Sequence, residues 1–225
     1  MGLTPELARW RKAERQVLLA RRLAAPAAEH ARWSEAIETQ LRAGFAFGER
    51  WVVGLCWPFQ AEFDARPFAT HLRSLGARLA LPMVIAKGRP LEFREWWPGV
   101  PMASGVYDLP VPAGTDALVP DALLVPPVGI GQQGDRLGYG GGFFDRTLAA
   151  LEPRPLTVAH AFELSRIPTT YPQPHDVLMD FVVTEAGIQA AVPGGLEAVT
   201  AAQCRRRVEQ LAARRGLPRH PAGRV

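Results

Sequence analysis

Residues 134–145 read Gly-Asp-Arg-Leu-Gly-Tyr-Gly-Gly-Gly-Phe-Phe-Asp, and this stretch concentrates the chain's most specific potential chemistry. Gly138, Gly140, Gly141 and Gly142 carry no side chains to keep successive backbone N–H groups from converging on an anion. A helix beginning at Phe143 would add the free N–H groups and partial positive charge of its first turn. Arg136 before the glycines and Arg146 after them can supply full charge. Asp145, at the same helix start, would repel a phosphate unless a cation lay between them, and Mg2+ prefers carboxylate, phosphate and water oxygens. The pattern reads as a phosphate cradle with a metal-bearing carboxylate beside it. It is not the lysine-containing phosphate loop, because no Gly-Lys-Ser/Thr follows. Tight glycine packing or a flexible loop would fit the same spacing.

Other candidates are weaker on spacing alone. Gly129-Ile-Gly131-Gln-Gln-Gly134 matches the dinucleotide pattern G-x-G-x-x-G, but a second glycine run follows it where a helix should begin. A tight turn at Gln133-Gly134-Asp135 is the better reading. Arg11 and Arg15 stand four apart, so a helix would present both to one anion, or simply to water. Glu62 passes as a loop carboxylate and His175 as a hydrogen-bonded structural histidine. Cys56 and Cys204 form no metal-ligand spacing and no disulfide framework.

The elements that must position these residues alternate between helix and strand. Thr4-Pro5 caps a helix that runs to Pro26, with Leu7, Trp10, Val17, Leu18 and Leu23 as its apolar stripe. A second helix spans 27–43, with Trp33, Ile37 and Leu41 at spacings of four. Strands are expected at 51–56, 78–81 (closed by Pro82), 91–96, 121–125, 157–162 and 181–184. Further helices are expected at 67–75 and 143–151. The alternation implies one three-layer αβα domain over 1–187, with a mainly parallel sheet of the Rossmann type. Residues 188–225 read as an Arg-rich extension holding one loosely attached helix, 196–214.

Composition narrows the function classes. Hydrophobic residues make up 48% of the 225, enough for a substantial core, and no apolar run is long enough to cross a membrane. No secretory signal is visible at the N-terminus, so a cytoplasmic protein is expected. The net charge of +4 is misleading: residues 205–225 hold seven arginines against one glutamate, a net of +6, which leaves −2 for the rest. The basic character therefore belongs to the tail, and no specific nucleic-acid partner is expected. Deleting residues from about 190 onward is expected to abolish any nucleic-acid binding and spare the core chemistry.

The glycine-rich stretch, read with Val125-Pro-Pro-Val-Gly-Ile ahead of it, resembles the hallmark VPG-x-x-F-x-x-x-G-x-RLG-x-GxGYYD of the 5-formyltetrahydrofolate cyclo-ligase (methenyltetrahydrofolate synthetase) family. Weaker matches follow in order over residues 8–186. The resemblance implies conversion of 5-formyltetrahydrofolate and ATP, with Mg2+, into 5,10-methenyltetrahydrofolate, ADP and phosphate, by a monomer. It implies that Arg11, Arg15, Arg136, Leu137, Gly138, Tyr139, Gly140, Gly141, Gly142, Phe143 and Phe144 meet the nucleotide, with Arg21 and Arg22 as a following basic pair. Asp145 and Asp176 are implied to hold Mg2+, with Arg136 and Asp145 nearest the reaction. Trp57, Glu62, Tyr107 and Tyr139 are implied to line the folate side.

The chain also departs from the family pattern. Arg11 stands where the family has Lys, Ala65 where it has Thr, Phe144 where it has Tyr, and Pro127 and Gly131 where it has Gly and Asp. These departures leave open a relative that binds folate or nucleotide with altered substrate or no turnover.

Overall fold

The computed structural model describes residues 4–218. Among the described residues five α-helices, two 3-10 turns and thirteen strands follow one another. The first part is α1 (Pro5–Leu23), α2 (Ala27–Gly44), β1 (Val52–Gly54), α3 (Arg66–Ser74), β2 (Arg78–Met83) and β3 (Glu92–Trp96). A hairpin, β4 (Met102–Ser104) and β5 (Pro110–Pro112), leads to β6 (Ala117–Leu118) and β7 (Ala122–Val125). Then come β8 (Gly129–Ile130), β9 (Arg136–Leu137), α4 (Phe143–Ala150), β10 (Leu156–His160) and β11 (Phe181–Thr184). The chain closes with β12 (Gly187–Val192), β13 (Gly195–Val199) and α5 (Ala201–Arg215).

Nine strands form one sheet in the order β13-β12-β11-β10-β7-β1-β2-β3-β6. The five central strands are parallel, with antiparallel pairs at both edges. The expected mainly parallel α/β sheet is therefore present. Alternate residues feed two cores. Val53, Leu79, Leu124, Val158 and Val183 face α2, α3 and α5, while Ala80, Leu123, Ala159 and Val182 face Leu148 of α4. Strand β2 runs through Pro82 to Met83, where sequence reading stops it. Its pairing with β1 ends at Ala80, so the missing N–H at 82 breaks no bond on that side.

Two expectations need correction. The buried residues of α1 are Arg11, Leu18 and Arg22, whereas Val17 and Leu23 are exposed. With half-buried Arg15, these positions fall at intervals of four, three and four, one face of a helix. That face meets the loops at one end of the sheet through a small cluster of Leu18, Val128, Leu137 and Ile167.

The C-terminal helix is present but is firmly attached. Strands β12 and β13 continue the sheet beyond residue 187, so no structural break falls there. Helix α5 starts at Thr200 in a capping box and buries Cys204, Val208 and Ala212. Gly44 allows close approach: a Cβ there would lie 2.6 Å from Ile188 and 3.2 Å from the Cys204 sulfur. Burial pushes the Cys204 thiol up to about 12, which suits a packing residue.

Three of the tail arginines bind the body of the protein. Arg205 donates to the Ala43 carbonyl. Arg207 meets Glu197 at 3.2 Å. Arg215 forks onto buried Asp180 at 2.8 and 2.6 Å. Residues 219–225 lie outside the described residues.

Truncation after residue 199 uncovers the α2–α5 core and strips Asp180 of Arg215. The expected outcome is a loss of at least about 3 kcal/mol of stability, read as a lower urea midpoint. An unchanged midpoint would restore the loosely attached tail.

Candidate functional site

Strand order reverses at the centre of the sheet. From β1 the chain crosses to β2 on one side, and later returns to β7 on the other. The crevice beyond the carboxyl ends of β1 and β7 is the place where open α/β sheets bind ligands. The loop after β1 carries Trp57 and Glu62, and the loop after β7 carries the glycine-rich stretch.

Glu62 is buried and accepts two hydrogen bonds. The Tyr139 hydroxyl donates to Oε1 at 2.7 Å and the Phe59 N–H to Oε2 at 2.9 Å. Burial pushes its carboxyl up to about 7, against the pull of Tyr139, Arg22 and the Phe59 N–H. Burial also raises the Tyr139 phenol. Tyr139 thus links the glycine loop directly to the carboxylate across the crevice. The Phe59 and Tyr139 rings, 5.7 Å apart, flank the same spot and are both partly exposed. Trp57 is half-buried, with the Arg66 guanidinium 4.2 Å over its ring.

The glycine loop is held from α1. Arg15 donates from Nε to the Gly138 carbonyl at 2.7 Å. Gly140 and Gly142 adopt positive φ of 98° and 62°, which side chains resist, so these two glycines are required by the backbone. Arg146 donates to the Gly141 carbonyl from inside the helix. Leu137 packs in the small cluster with Leu18, and Phe144 packs against the α4 core.

Two carboxylates stand beside the loop, each tied to an arginine. Arg136 donates to Asp145 Oδ1 at 2.8 Å and to the Val177 carbonyl at 2.5 Å. The Val177 N–H also donates to Asp145 Oδ1, at 3.0 Å. Arg11 donates to Asp176 Oδ2 at 2.6 Å, holding that carboxyl below the usual range against the opposing effect of burial. Because Val177 follows Asp176, the two ion pairs share one turn of chain. Arg11 also donates to the carbonyls of Thr170 and Tyr171, at 3.1 and 2.9 Å.

The structure therefore gathers Arg11, Arg15, Arg136, Tyr139, Asp145, Asp176 and Glu62 at one end of the sheet. It does not bring Tyr107 to them. That residue is 66% exposed at the tip of the β4–β5 hairpin, with positive φ. Among the described residues no three His, Cys, Asp or Glu side chains cluster to hold a metal by themselves.

Two residues shape the site in ways the sequence does not announce: Arg22, which the resemblance assigns to a phosphate-side basic pair, and Asp135. Arg22 reaches Tyr139 rather than an open anion site; its 11-15-22 spacing with the other arginines was the available signal. The sequence places Asp135 only in a turn. Its buried carboxylate accepts from the Gln133 N–H and from both the N–H and hydroxyl of Thr170, the last two at 2.7 Å. It thereby fixes the segment whose carbonyls grip Arg11. A Cβ at Gly131 would lie 2.1 Å from an Asp135 oxygen. The carboxylate of Asp135 thus fills the space that a side chain at 131 would need, and no local sequence signal revealed it.

A glycine loop and a buried carboxylate facing each other across a switch point mark an α/β enzyme that holds a small molecule there. Residues 8–185 match the model of the 5-formyltetrahydrofolate cyclo-ligase family, and the chain belongs to that family. It is a ligase of folate one-carbon metabolism. A 5-formyltetrahydrofolate cyclo-ligase of Mycolicibacterium smegmatis is 33% identical over 182 residues, covering 76% of this chain and 91% of the relative. The fold is similar to that of Aquifex aeolicus 5,10-methenyltetrahydrofolate synthetase, with a TM-score of 0.70 at 22% identity over 84% of this chain and 96% of that one. It is also similar to a 5,10-methenyltetrahydrofolate synthetase from Mycoplasma pneumoniae, with a TM-score of 0.65 at 22% identity over 78% and 98% of the two chains.

Two outcomes test this geometry. Gly131→Ala drives a methyl group into a buried carboxylate and is expected to cost about 2 kcal/mol or more in urea unfolding. His160, at the end of β10, is buried with neither ring nitrogen hydrogen-bonded, and burial pulls it from 6.5 down to about 4. The unfolded chain takes up that proton first. Stability is therefore full above pH 6.5 and falls as the pH drops toward about 4. His160→Phe is expected to flatten that slope relative to the parent protein; an unchanged slope would assign it to other groups.

Proposed function

We propose that the chain converts 5-formyltetrahydrofolate and ATP into 5,10-methenyltetrahydrofolate, ADP and phosphate, as a cytoplasmic monomer. The observation that carries this reading is the hydrogen bond from Tyr139, in the glycine loop, to buried Glu62 on the other side of the crevice. That direct contact across the crevice supports a reading in which phosphates bind on the loop side and the folate on the carboxylate side.

In this reading the formyl oxygen attacks the γ-phosphorus and ADP leaves. N10 then attacks the formyl carbon and gives up its proton. The C–O bond breaks, phosphate departs with the oxygen, and the ring is closed. Such chemistry asks for positioning and charge neutralisation more than for a protein nucleophile. Residues 138–142 and the first N–H groups of α4 receive the phosphates, with Arg15 shaping the loop and adding charge. Arg11 and Arg136 fix Asp176 and Asp145 while contributing positive charge of their own.

Asp145 and Asp176 fit a magnesium site in part. Each accepts its described hydrogen bonds at a single oxygen; the other oxygen of Asp176 lies 3.7 Å from His175 Nε2. Mg2+ there would neutralise phosphate charge. Because both carboxylates are already charge-paired, the metal would arrive with the nucleotide rather than bind alone. On the folate side, Glu62 offers the substrate a hydrogen-bond acceptor, while Phe59, Trp57 and Tyr139 offer ring faces. Tyr107 joins them only if the hairpin tip moves inward.

A second reading, a relative with altered substrate, draws on Ala65 and Phe144. Ala65 caps α3 without a side-chain hydrogen bond, and Phe144 turns toward the α4 core.

The test is to mix the protein with 5-formyltetrahydrofolate, ATP and Mg2+. Appearance of the methenyl chromophore in step with ADP supports the enzyme. Tight binding without product supports the second reading. Asp145→Asn keeps the shape but halves the carboxylate charge supply and weakens the Arg136 pair. Turnover is expected to fall by ~10²-fold or more. Near-parental turnover at ordinary Mg2+ would remove Asp145 from the metal.

A further inference from the structure

Arg22 is an arginine with no freedom to bind a ligand anion. Its guanidinium is 3% exposed, and each of its three nitrogens has an acceptor inside the protein. Nε donates to the Gln60 carbonyl at 2.9 Å, in the loop after β1. Nη1 reaches the Pro127 carbonyl at 3.5 Å, in the loop after β7. Nη2 donates to the Tyr139 hydroxyl oxygen at 2.8 Å and lies 3.8 Å from Glu62 Oε1. One planar fork from α1 thus ties together the three segments that meet at the switch point. The resemblance implies a different task for this basic pair, contact with phosphates.

The donor order is fixed by chemistry. Arginine can only donate, and a tyrosine hydroxyl has one proton. With Arg22 donating to Tyr139, the phenolic proton is committed to Glu62, whose Oε1 lies 2.7 Å from the hydroxyl oxygen. The direction runs from Arg22 to Tyr139 to Glu62, and each bond polarises the next. Without Arg22 the hydroxyl could rotate, and the buried carboxylate would lose its nearest opposite charge.

We propose that Arg22 is a positioning residue for the reaction: it holds the Tyr139 hydroxyl and the Glu62 carboxylate as one unit, so that the phosphate-side loop and the folate-side acceptor are set together. The proposal rests on the functional reading above. Lysine is not an adequate replacement, because a single ammonium nitrogen cannot reach the three separate acceptors that the guanidinium fork meets.

The groups facing Glu62 are few. Tyr139 approaches from the glycine loop and Arg22 from α1. The Cys56 thiol lies at the end of β1, its ionisation suppressed by burial and by Glu62. His30 of α2 bonds the neighbouring Ala61 carbonyl at 2.8 Å. The Phe59 N–H completes the set. Arg22 is the cation that bears directly on the carboxyl, so its removal favours the protonated form and moves the acid limb of activity to higher pH.

Steady-state kinetics on the full chain decides the matter, with turnover of the parent protein as the precondition; absence of that turnover would sink the functional reading and not this one. Arg22→Met is expected to raise KM for 5-formyltetrahydrofolate about tenfold while KM for ATP stays within about twofold. The acid limb of kcat/KM should move upward in pH. Arg22→Lys should return the acid limb toward the parent position yet leave KM raised. Tyr139→Phe, which removes one hydroxyl from a partly exposed ring, should reproduce the folate KM effect. The double variant Arg22→Met/Tyr139→Phe should be little worse than either single change.

If Arg22→Met does not fold, the comparison of Arg22→Lys in the parent and Tyr139→Phe backgrounds carries the same test: the lysine change should matter only when the hydroxyl is present. Equal loss for both substrates with an unmoved acid limb would overturn the proposal. So would single-variant effects that multiply in the double variant.

Discussion

A loop made of glycine has no side chains with which to hold its own shape. The same freedom that lets its N–H groups turn toward an anion makes ordering it costly in entropy. The rest of this site follows from how that ordering is supplied. One helix, α1, lays three guanidinium groups against the loops instead of a conventional apolar stripe. Arg15 takes the Gly138 carbonyl, Arg22 the Tyr139 hydroxyl, and Arg11 the carbonyls of Thr170 and Tyr171. Each grips backbone, or the one side chain the loop provides. The helix therefore acts less as a layer of the sandwich than as a brace across the open end of the sheet.

The same brace arranges charge in advance. Asp145 and Asp176 enter the site already balanced by Arg136 and Arg11. Fixed, compensated charges of this kind need little reorganisation when a highly charged ligand arrives. The buried carboxyl of Glu62 lies on the opposite side of the crevice, where desolvation pushes it up to about 7 against the pull of Tyr139, Arg22 and the Phe59 N–H. Strong pairing on one side and weak pairing on the other match a charged end and a heterocyclic end of the reaction.

Much of this was legible in the sequence. Val-, Leu- and Ala-rich segments bounded by proline and glycine marked the parallel strands, because a strand buried on both faces must be apolar throughout. The glycine run and its flanking Arg136 and Asp145 were visible because that chemistry is local. What stayed hidden depends on distant partners. The buried stripe of α1 was obscured because arginines are normally assigned to solvent, and nothing nearby announces the carbonyls that receive them. Strands β12 and β13 lie in a glycine- and alanine-rich stretch whose strand character comes from pairing with β11. The arginines of α5 looked like a free basic tail because Asp180, Glu197 and the Ala43 carbonyl are far away or unremarkable in sequence.

The relation between Gly131 and Asp135 bears on how relatives of this chain are compared. The family pattern has Asp where this chain has Gly131, and here the carboxylate of Asp135 fills the volume a side chain at 131 would need. Gly131 is therefore to be weighed together with Asp135: the missing side chain is what leaves room for that carboxylate to reach the Thr170 N–H and hydroxyl.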